Sequence, residues 1–336
     1  HYTFSLYHGL CFRACEPLFS SKAEFAMPGT FRFMNVNMTA TVCLGALSFL
    51  IVFCLRWPGL LQPMELSAFD WMMRIKAAHP QGHSRIAIIG ITEEDIDDLG
   101  QWPLTDEQLA ELLEGILDLS PRAVGVDLFR NLPTPPGTER LKSVLTSHSE
   151  IIMVNKFGPQ EVPPPPCLEG TDQVGFSDIL VDTGGRVRRG LLYLDHKGTV
   201  SMSLALRLAL LYLEKEGIFP EPSPQNPAHL KLGPTVVRPF ESNDGGYVKA
   251  DSRGYQFLLN LESSDRPFPV VSYSRFQAND VPADAFHDAV VLIGVMAQSM
   301  KDIFYTSFSH GLRGHQHMTG VVLHAFLTDQ IIKFGL

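Results

Sequence analysis

The feature that most constrains this chain is an apolar run from Phe33 to Leu55, which carries no formal charge over 23 residues and lies between Arg32 and Arg56. As a helix it would be about 34 Å long, enough to cross a hydrocarbon core of about 30 Å. A cleaved signal peptide has a shorter apolar region and ends in small residues, whereas this run is followed by Arg56 and Trp57. The run therefore predicts a membrane-spanning helix over residues 33–57, with Trp57 at the membrane interface.

Basic residues on the two sides of the run indicate its orientation. Arg13, Lys22 and Arg32 precede it and Arg56 follows it. The positive-inside rule then favours a cytoplasmic N-terminus, with the large segment after the run outside the cytoplasm. Residues 1–32 show no steady hydrophobic periodicity, so we expect them to form a poorly ordered leader.

Composition narrows the possible function classes. The net charge of −9 argues against a nucleic-acid-binding surface, which needs a concentrated positive field. Of the five cysteines, only Cys167 follows the apolar run, so the large domain is expected to fold without an intrachain disulfide. The sequence contains no Walker A loop, dinucleotide fingerprint, nucleophile elbow or H-E-x-x-H pair. We therefore expect no cofactor, no catalytic residues and no enzymatic activity in this part of the protein.

Buried strands alternate with amphipathic helices after the run. Arg85–Ile91, Arg122–Leu128 and Ala289–Gly294 are short, apolar and rich in β-branched residues, as expected for strands buried on both faces. Thr105 and Gln108 form a capping box that begins a helix between the first two strands. Strand, helix and strand at this spacing predict a parallel βαβ unit. The pattern predicts an α/β domain, layered αβα with a largely parallel sheet, and an antiparallel extension in its less regular middle.

Further elements follow from the same patterns. Helices are expected over residues 62–76, 138–147, 201–216, 272–277 and 316–334. Strands are expected over residues 151–154, 175–181 and 188–195, with short strands near 229–238, 246–250 and 255–260. Asp182–Gly185 has the composition of a hairpin turn between two of these strands. Asp302–Phe308 is expected to be a loop, and Asp70 with Arg74 is expected to form an i,i+4 ion pair.

The order of these local patterns is similar to that of a known family. The residues that carry the resemblance are Glu65, Asp70, Arg74, Leu99, Gly100, Trp102, Pro103, Val124–Asp127, Gly175, Phe176, Asp182, Gly185, Val187–Arg189, Val291–Gly294, Asp302, Phe304, Thr306, Gly320, His324 and Ala325. Together they resemble the CHASE2 domain over roughly residues 58–334. Two positions depart from the family pattern: no Arg follows the Trp-Pro segment, and Ser307 stands where a Pro is common.

The resemblance implies a function. CHASE2 domains are extracytoplasmic sensory modules of bacterial receptors, placed between an N-terminal membrane helix and C-terminal membrane helices. A cytoplasmic adenylate or diguanylate cyclase or a kinase follows them, and this sequence contains no such effector region. The expected location is the membrane, with the main domain outside the cytoplasm. The expected partners are the lipid bilayer, an unidentified small-molecule or peptide ligand, and a second copy of the chain.

Candidate site residues follow from the predicted topology, because open parallel sheets bind ligands beyond the carboxyl ends of their strands. By this criterion the predicted ligand-binding residues are Glu93, Glu94, Asp127, Asp302 and Thr306. Arg188 is a further predicted ligand-binding residue, because Arg188 and Arg189 follow a turn where a guanidinium group can contact an anion. Asp127 and Asp302 have a structural alternative, as a helix cap and a turn residue, and Arg188 could be an ion-pair partner. Structural roles are expected for Trp102, Pro103, Asp182, Gly185, Gly294 and His324.

Histidines near the C-terminus raise the question of a metal. His310, His315, His317 and His324 do not have the spacing of a zinc site, so no metal is expected. His324 is expected to pack inside the domain with one ring nitrogen hydrogen-bonded.

Three functions are compatible with the sequence. The first is a sensory domain in which a ligand shifts the populations of two conformations. The second is a structural or dimerisation module that binds no ligand. The third is a membrane-anchored hydrolase that uses Glu93, Asp127 and Asp302, which requires these three carboxylates to meet at one point.

Overall fold

The computed structural model describes residues 38–76, 85–158, 160–261, 268–282, 285–309 and 317–336. The predicted leader (1–32), the first residues of the predicted span (33–37), His310 and His315 lie outside the described residues. The first compact unit ends at Phe53, and the second comprises Cys54–Leu336.

The helix α1 (Met38–Arg56) is long and apolar enough to cross a membrane, with a mean hydropathy of 2.3. None of its residues is buried. An apolar helix that no protein covers is a candidate membrane span. The predicted apolar helix is thus confirmed from Met38 onward.

The unit Cys54–Leu336 contains both helices and strands. The helices are α2 (Gln62–Lys76), α3 (Glu93–Leu99), α4 (Asp106–Leu117), α5 (Thr138–Ser147), α6 (Leu204–Glu214), α7 (Tyr273–Gln277) and α8 (Gly320–Gly335). The strands are β1 (Ile86–Ile91), β2 (Ala123–Asp127), β3 (Ile151–Asn155), β4 (Val174–Phe176), β5 (Arg186–Val187), β6 (Arg189–His196), β7 (Thr199–Met202), β8 (Pro220–Pro222), β9 (Leu230–Leu232), β10 (Thr235–Val237), β11 (Tyr255–Leu258), β12 (Val270–Ser272), β13 (Val290–Val295), β14 (Ile303–Thr306) and β15 (His317–Thr319).

The centre of this unit is a six-stranded sheet in the order β12-β1-β13-β2-β3-β4, in which all neighbours are parallel. Ile88 and Leu292 are paired across β1 and β13 and pack in the cluster that contains residues of α6 and α8. Ile89 and Ile293 are the next pair and pack in the cluster that contains residues of α4 and α5. Because successive side chains of a strand point to opposite faces, the sheet separates two helical layers. The predicted αβα domain with a parallel sheet is confirmed.

Glycines allow the helices to approach the sheet closely. A Cβ on Gly175 of β4 would lie 2.6 Å from Cα of Leu204, the first residue of α6. A Cβ on Gly294 of β13 would lie 2.6 Å from Cβ of Val321 in α8. Both contacts are shorter than side chains tolerate, so these positions require glycine for packing.

Three smaller sheets flank the central one. The sheets β11-β6-β7 and β10-β9-β8 are antiparallel. In the third, β14 pairs antiparallel with β15 and parallel with β5. The predicted antiparallel extension of the middle of the chain is confirmed.

Several predictions about single elements are wrong. The expected strand over residues 175–181 ends at Phe176, and the partners of β6 are β7 and β11, so Asp182–Gly185 does not join the two arms of a hairpin. The turn itself is present, with Gly185 at φ +74° and its N–H 2.7 Å from the Asp182 carbonyl oxygen. Residues 246–250 form no strand, and the expected loop after Asp302 contains β14.

The remaining differences between the predicted and the observed elements involve short segments. The final helix begins at Gly320, because His317–Thr319 forms β15. The helix α3 was not predicted. Its N-terminus is a capping box in which Thr92 accepts from the Asp95 N–H, and the Asp95 carboxylate accepts from the Thr92 N–H.

Candidate functional site

A cavity of about 1220 Å³ lies at the carboxyl ends of the central strands. Asp127 at the end of β2, Lys156 directly after β3 and Val295 at the end of β13 line it. This is the edge at which parallel sheets bind ligands, and the volume suffices for a small molecule.

Three ionisable side chains from distant parts of the chain meet in this cavity. Asp127 lies at the end of β2, Asp302 directly before β14, and His324 in the second turn of α8. Nε2 of His324 lies 3.9 Å from Oδ2 of Asp127, and Oδ2 of Asp302 accepts a hydrogen bond of 3.1 Å from the Gly320 N–H. Asp302 therefore lies at the N-terminus of α8, where the helix dipole favours a negative charge.

The environment shifts the pKa values of all three groups. Burial raises the pKa of Asp127 to about 7, and the charge of Lys156 offsets only part of this rise. Burial and the charge of Asp127 raise the pKa of Asp302, against opposing contributions from His324, a backbone N–H and Lys156. Burial lowers the pKa of His324 to about 4, although Asp302 and Asp178 favour its protonated form. At neutral pH His324 is uncharged and Asp127 is close to the midpoint of its titration.

Only two of the six predicted ligand-binding residues line the cavity. Asp127 and Asp302 are brought together in the cavity, whereas the other four are described but are not among the residues that line it. Both carboxylate oxygens of Glu93 accept hydrogen bonds from Ser299, at 2.7 and 2.8 Å, and Glu94 is exposed on α3.

Thr306 and Arg188 have structural environments. Thr306 is fully buried, and its hydroxyl accepts a 3.3 Å hydrogen bond from the Phe308 N–H in the turn after β14. The side chain of Arg188 is 5% exposed and ion-paired with two carboxylates.

The first of those carboxylates is Asp70, on the core-facing side of α2. Asp70 is 0% exposed and accepts hydrogen bonds from Nε and Nη2 of Arg188 at 2.7 and 2.9 Å, from Nη1 of Arg186 at 2.8 Å and from the Ser307 hydroxyl at 2.8 Å. The predicted pair of Asp70 with Arg74 is wrong: within the described residues Nη1 of Arg74 is buried without a hydrogen-bond partner. The interval of four residues places Asp70 and Arg74 on one face of α2, but the carboxylate of Asp70 binds Arg186 of β5, Arg188 between β5 and β6, and Ser307 after β14 instead.

The second carboxylate is Asp182, at the start of the turn before β5. It accepts hydrogen bonds from Nη1 of Arg188 at 2.8 Å, from Nη2 of Arg189 at 2.7 Å and from the Tyr247 hydroxyl at 2.8 Å. Arg189 also donates to Oε1 of Gln256 at 2.7 Å, and Arg189 and Gln256 both line the cavity. The buried charges thus run from Asp70 on α2 through Arg188 and Asp182 to Arg189 at the cavity wall. We call these four residues the charge network.

All four members of the charge network are buried. Burial raises the pKa of Asp70, but hydrogen bonds from Arg188 and Ser307 and the charges of Arg188 and Arg186 more than reverse this, so the pKa of Asp70 lies below its ordinary value. Burial lowers the pKa of Arg188, and the hydrogen bonds to Asp70 and Asp182 outweigh it, so the pKa of Arg188 lies above its ordinary value. The Asp70–Arg188 pair is therefore ionised at neutral pH.

The residues expected to have structural roles lie in several places. Trp102 and Pro103 line the cavity, Asp182 belongs to the charge network, and Gly185 adopts the left-handed backbone of a turn. His324 is 3% exposed and also lines the cavity. The expected hydrogen bond to its ring is missing at Nδ1, which has no partner in the described part of the chain.

Sequence reasoning missed Lys156 and Arg189 as cavity residues. Lys156 directly follows β3, so the strand-end criterion that selected Asp127 also applies to it. No comparable signal distinguishes Arg189 from Arg188, because they are adjacent basic residues at the start of one predicted strand. The described residues include no group of three or more His, Cys, Asp or Glu side chains that could hold a metal ion.

Comparison with known proteins identified one family. The family model of the CHASE2 domain matches residues 47–335. Neither the comparison with curated proteins nor that with solved structures gave a match.

Proposed function

Because the chain belongs to the CHASE2 domain family, whose members are extracytoplasmic sensory domains, we propose that its cavity binds a small ligand and that the charge network passes the resulting change to α2. The helix α2 follows the candidate membrane span α1 in the chain. A displacement of α2 would therefore be transmitted to the candidate membrane span. The binding event would bias two arrangements of the network, as required for coupling between separate sites.

The observation that carries this proposal is the continuity of the charge network. Arg188 and Arg189 are adjacent in the chain and share the Asp182 carboxylate. Arg189 lines the cavity, and Arg188 binds Asp70 of α2. A ligand that displaces Arg189 would thus disturb the carboxylate that also orients Arg188.

A second connection runs through β14. Asp302 and Phe304 line the cavity, and Ser307, directly after this strand, donates a 2.8 Å hydrogen bond to Asp70. A movement of β14 on ligand binding would therefore reach the same carboxylate of α2. Packed strands and paired charges transmit displacements because interiors have few voids to absorb them.

We propose ligand binding without hydrolysis for this chain. The hydrolase hypothesis needs Glu93, Asp127 and Asp302 at one point, but Glu93 binds Ser299 and is not among the residues that line the cavity. We further propose that α1 crosses a bilayer, that the domain lies outside the cytoplasm, and that a cyclase or kinase on the cytoplasmic side responds to it.

Amide hydrogen exchange of the full chain in lipid nanodiscs tests the proposal. The probe is the dialysable small-molecule fraction of a cell-envelope extract. We expect this fraction to slow exchange in the cavity segment 302–309 and to change exchange in α2. Arg189→Lys should keep the effect in the cavity segment and weaken the effect in α2, because Lys cannot replace the two-point contact with Asp182.

Arg140→Lys is the matched control, since Arg140 forms an exposed cluster with Glu111 and Glu114 on α4. This variant should behave like the unaltered chain. Protection of the cavity segment with no change in α2 would contradict the coupling, and no protection anywhere would contradict ligand binding.

A second candidate function, pairing of two copies, is favoured by an apolar stripe on α2. Met64, Ala68, Trp71 and Ile75 are exposed, and Trp71 is 61% exposed. Their successive spacings of four, three and four residues match the seam of a coiled coil. The occupant that fits such a seam is the same helix of a second copy, since membrane attachment would raise the local concentration of copies.

The oligomeric state of the full chain in detergent tests this pairing. Trp71→Glu should shift the chain from dimer to monomer, whereas Glu94→Gln on the exposed face of α3 should not. An unchanged dimer fraction in Trp71→Glu, together with weaker binding to vesicles, would assign the stripe to lipid contact instead.

A further inference from the structure

Polar groups at the inner end of the cavity lack partners. In the part of the chain that the structure describes, the Asp127 carboxylate accepts no hydrogen bond, and Nε2 of His324, at 3.9 Å, is beyond hydrogen-bond distance. The His324 side chain is 4% exposed, and its Nδ1 has no hydrogen-bond partner in the described residues. Buried polar groups are normally satisfied, so the unpartnered His324 ring beside the Asp127 carboxylate, whose side chain is 12% exposed, calls for a ligand or water.

The charges at this end of the cavity indicate the sign of the ligand's charge. Among the described cations that line the cavity, Arg130, Arg189 and Arg253 are each ion-paired, with Asp106, Asp182 and Asp251 respectively. The remaining described cation of the wall, Lys156, faces both Asp127 and Asp302. His324 is uncharged, so once Asp127 and Asp302 are both ionised their two negative charges face the single positive charge of Lys156. A positive charge would relieve their mutual repulsion, whereas an anion would increase it.

A metal ion has the required positive charge but lacks a suitable set of ligands among the residues described here. The described residues contain no suitable group of three or more His, Cys, Asp or Glu side chains. An ammonium group fits better, because it has three donors and needs no fixed coordination geometry. The cavity wall beyond the carboxylates is apolar and aromatic, with Trp102, Leu128, Phe129, Phe157 and Phe304. Such a wall accommodates a hydrophobic body and attracts cations through aromatic faces.

We propose, on the basis of the ligand-binding function above, that the cavity takes a small organic amine whose ammonium group lies between Asp127 and Asp302 and whose apolar body contacts the aromatic wall. The ammonium donates to the Asp127 carboxylate, which no described residue satisfies, and to the oxygens of Asp302 not used by the Gly320 N–H. The uncharged His324 ring forms the adjacent wall.

Calorimetric titration of the full chain in nanodiscs tests this ligand class with three probes of one body. Phenethylamine, phenethyl alcohol and hydrocinnamate share an aromatic ring and differ in the head group. We expect the amine to bind about ten- to hundredfold more tightly than the alcohol, because its hydrogen bonds to carboxylates are charge-assisted. Hydrocinnamate should bind most weakly. Butylamine and butanol repeat the comparison with a smaller body.

Variants locate the ammonium group. Asp127→Asn and Asp302→Asn should each reduce the preference for the amine over the alcohol by about tenfold. Asp195→Asn at the exposed edge of the same cavity should retain it, since Asn keeps the acceptor for the Gly198 N–H. Amine affinity should rise between about pH 6 and about pH 8 as Asp127 ionises, while alcohol affinity stays constant.

The outcomes separate this inference from the proposed function. Equal affinity for amines and alcohols, a preference for hydrocinnamate, or an amine preference that survives both Asn substitutions would overturn the amine assignment. Failure of every probe, with protection of the cavity segment by the extract fraction, would also overturn it and leave the sensory function standing. Failure of the probes and of the extract fraction together would overturn both.

Discussion

Asp70 and Arg188 lie 118 residues apart in the chain and form a two-point ion pair, with distances of 2.7 and 2.9 Å between their atoms. Their side chains are 0% and 5% exposed. The position of α2 on the domain therefore depends on a buried charge pair as well as on apolar contacts from Leu66 and Met73. Such a pair is costly to break, because a charge left without its partner stays buried.

Asp70→Asn should therefore destabilise the chain strongly. It leaves Arg186 and Arg188 without their shared carboxylate, and the expected loss in the free energy of unfolding is about 3–5 kcal/mol. Urea unfolding of the full chain in detergent measures it. Asp172→Asn is the control, because Asp172 pairs with Arg207 while its side chain is 95% exposed, and little change is expected there. A loss in Asp70→Asn no larger than in the control would contradict a role of the pair in stability.

Asp127→Asn should change the pH dependence of stability. The pKa of Asp127 rises from its ordinary 3.8 to about 7 in the folded chain. Between these values the folded state holds a proton that the unfolded state has released, so the free energy of unfolding falls as pH rises through this window and levels off above about 7. Asn does not titrate. Relative to the unaltered chain, the variant should gain of the order of a few kcal/mol between about pH 4 and about pH 8.

Titratable neighbours of Asp127 also affect the pH dependence of stability, and they are the same in the variant and in the unaltered chain. Asp302, His324 and Lys156 are the charged or titratable groups that face it. His324 has a pKa lowered to about 4, so its own contribution to stability grows with pH between about 4 and its ordinary 6.5, but it is present in both chains. A stability difference that does not vary with pH would show that Asp127 ionises normally.

Gly320→Ala should disturb the inner end of the cavity. A Cβ at this position would lie 2.2 Å from Oδ2 of Asp302, so the carboxylate must move away from the N-terminus of α8. We expect a loss of about 1–3 kcal/mol in the free energy of unfolding, typical of an overpacked site. Phenethylamine affinity should fall as well. Gly184→Ala is the control, since a Cβ there meets nothing within 4 Å. Unchanged stability and affinity in Gly320→Ala would contradict the described placement of Asp302.

Gly175→Ala should be tolerated even less well. The atoms that a Cβ would meet are the backbone Cα and N of Leu204, at 2.6 and 2.7 Å, and backbone cannot rotate away as a side chain can. The edge strand β4 and the helix α6 must then separate. We expect a loss of at least about 3 kcal/mol by urea unfolding, above the usual range for overpacking. A loss equal to that of the Gly184→Ala control would show that α6 can shift freely.

Much of the fold could be predicted from local patterns. Ile86–Ile91 and Val290–Val295 are apolar on both faces, which only a sheet covered by helices on both sides accommodates. The helix α4 begins at the predicted capping box of Thr105 and Gln108, because both partners lie within one turn. Errors concentrated where strands have two to four residues, as in β5, β14 and β15, since so few residues carry no clear period.

The candidate site was predicted in part. Asp127 and Asp302 were chosen because they follow strand ends, and the strands concerned, β2 and β13, are neighbours in the parallel sheet. Arg188 was chosen and the adjacent Arg189 was not, yet Arg188 binds Asp70 and Arg189 lines the cavity. At Ser307 the departure from the family pattern has a structural counterpart, because a Pro there could not donate the hydrogen bond that Asp70 accepts.

The amino-acid sequence by itself determined the apolar helix, the alternation of strands and helices, and the family, because these depend on periodicity and on residue order. The tertiary structure alone decided that Asp70 pairs with Arg188 and not with Arg74, and that His324 lies 3.9 Å from Asp127 in the cavity wall. Those contacts join segments separated by many residues. Their partners are selected by strand order and by the energetic need to satisfy buried charges, neither of which is visible in a local pattern.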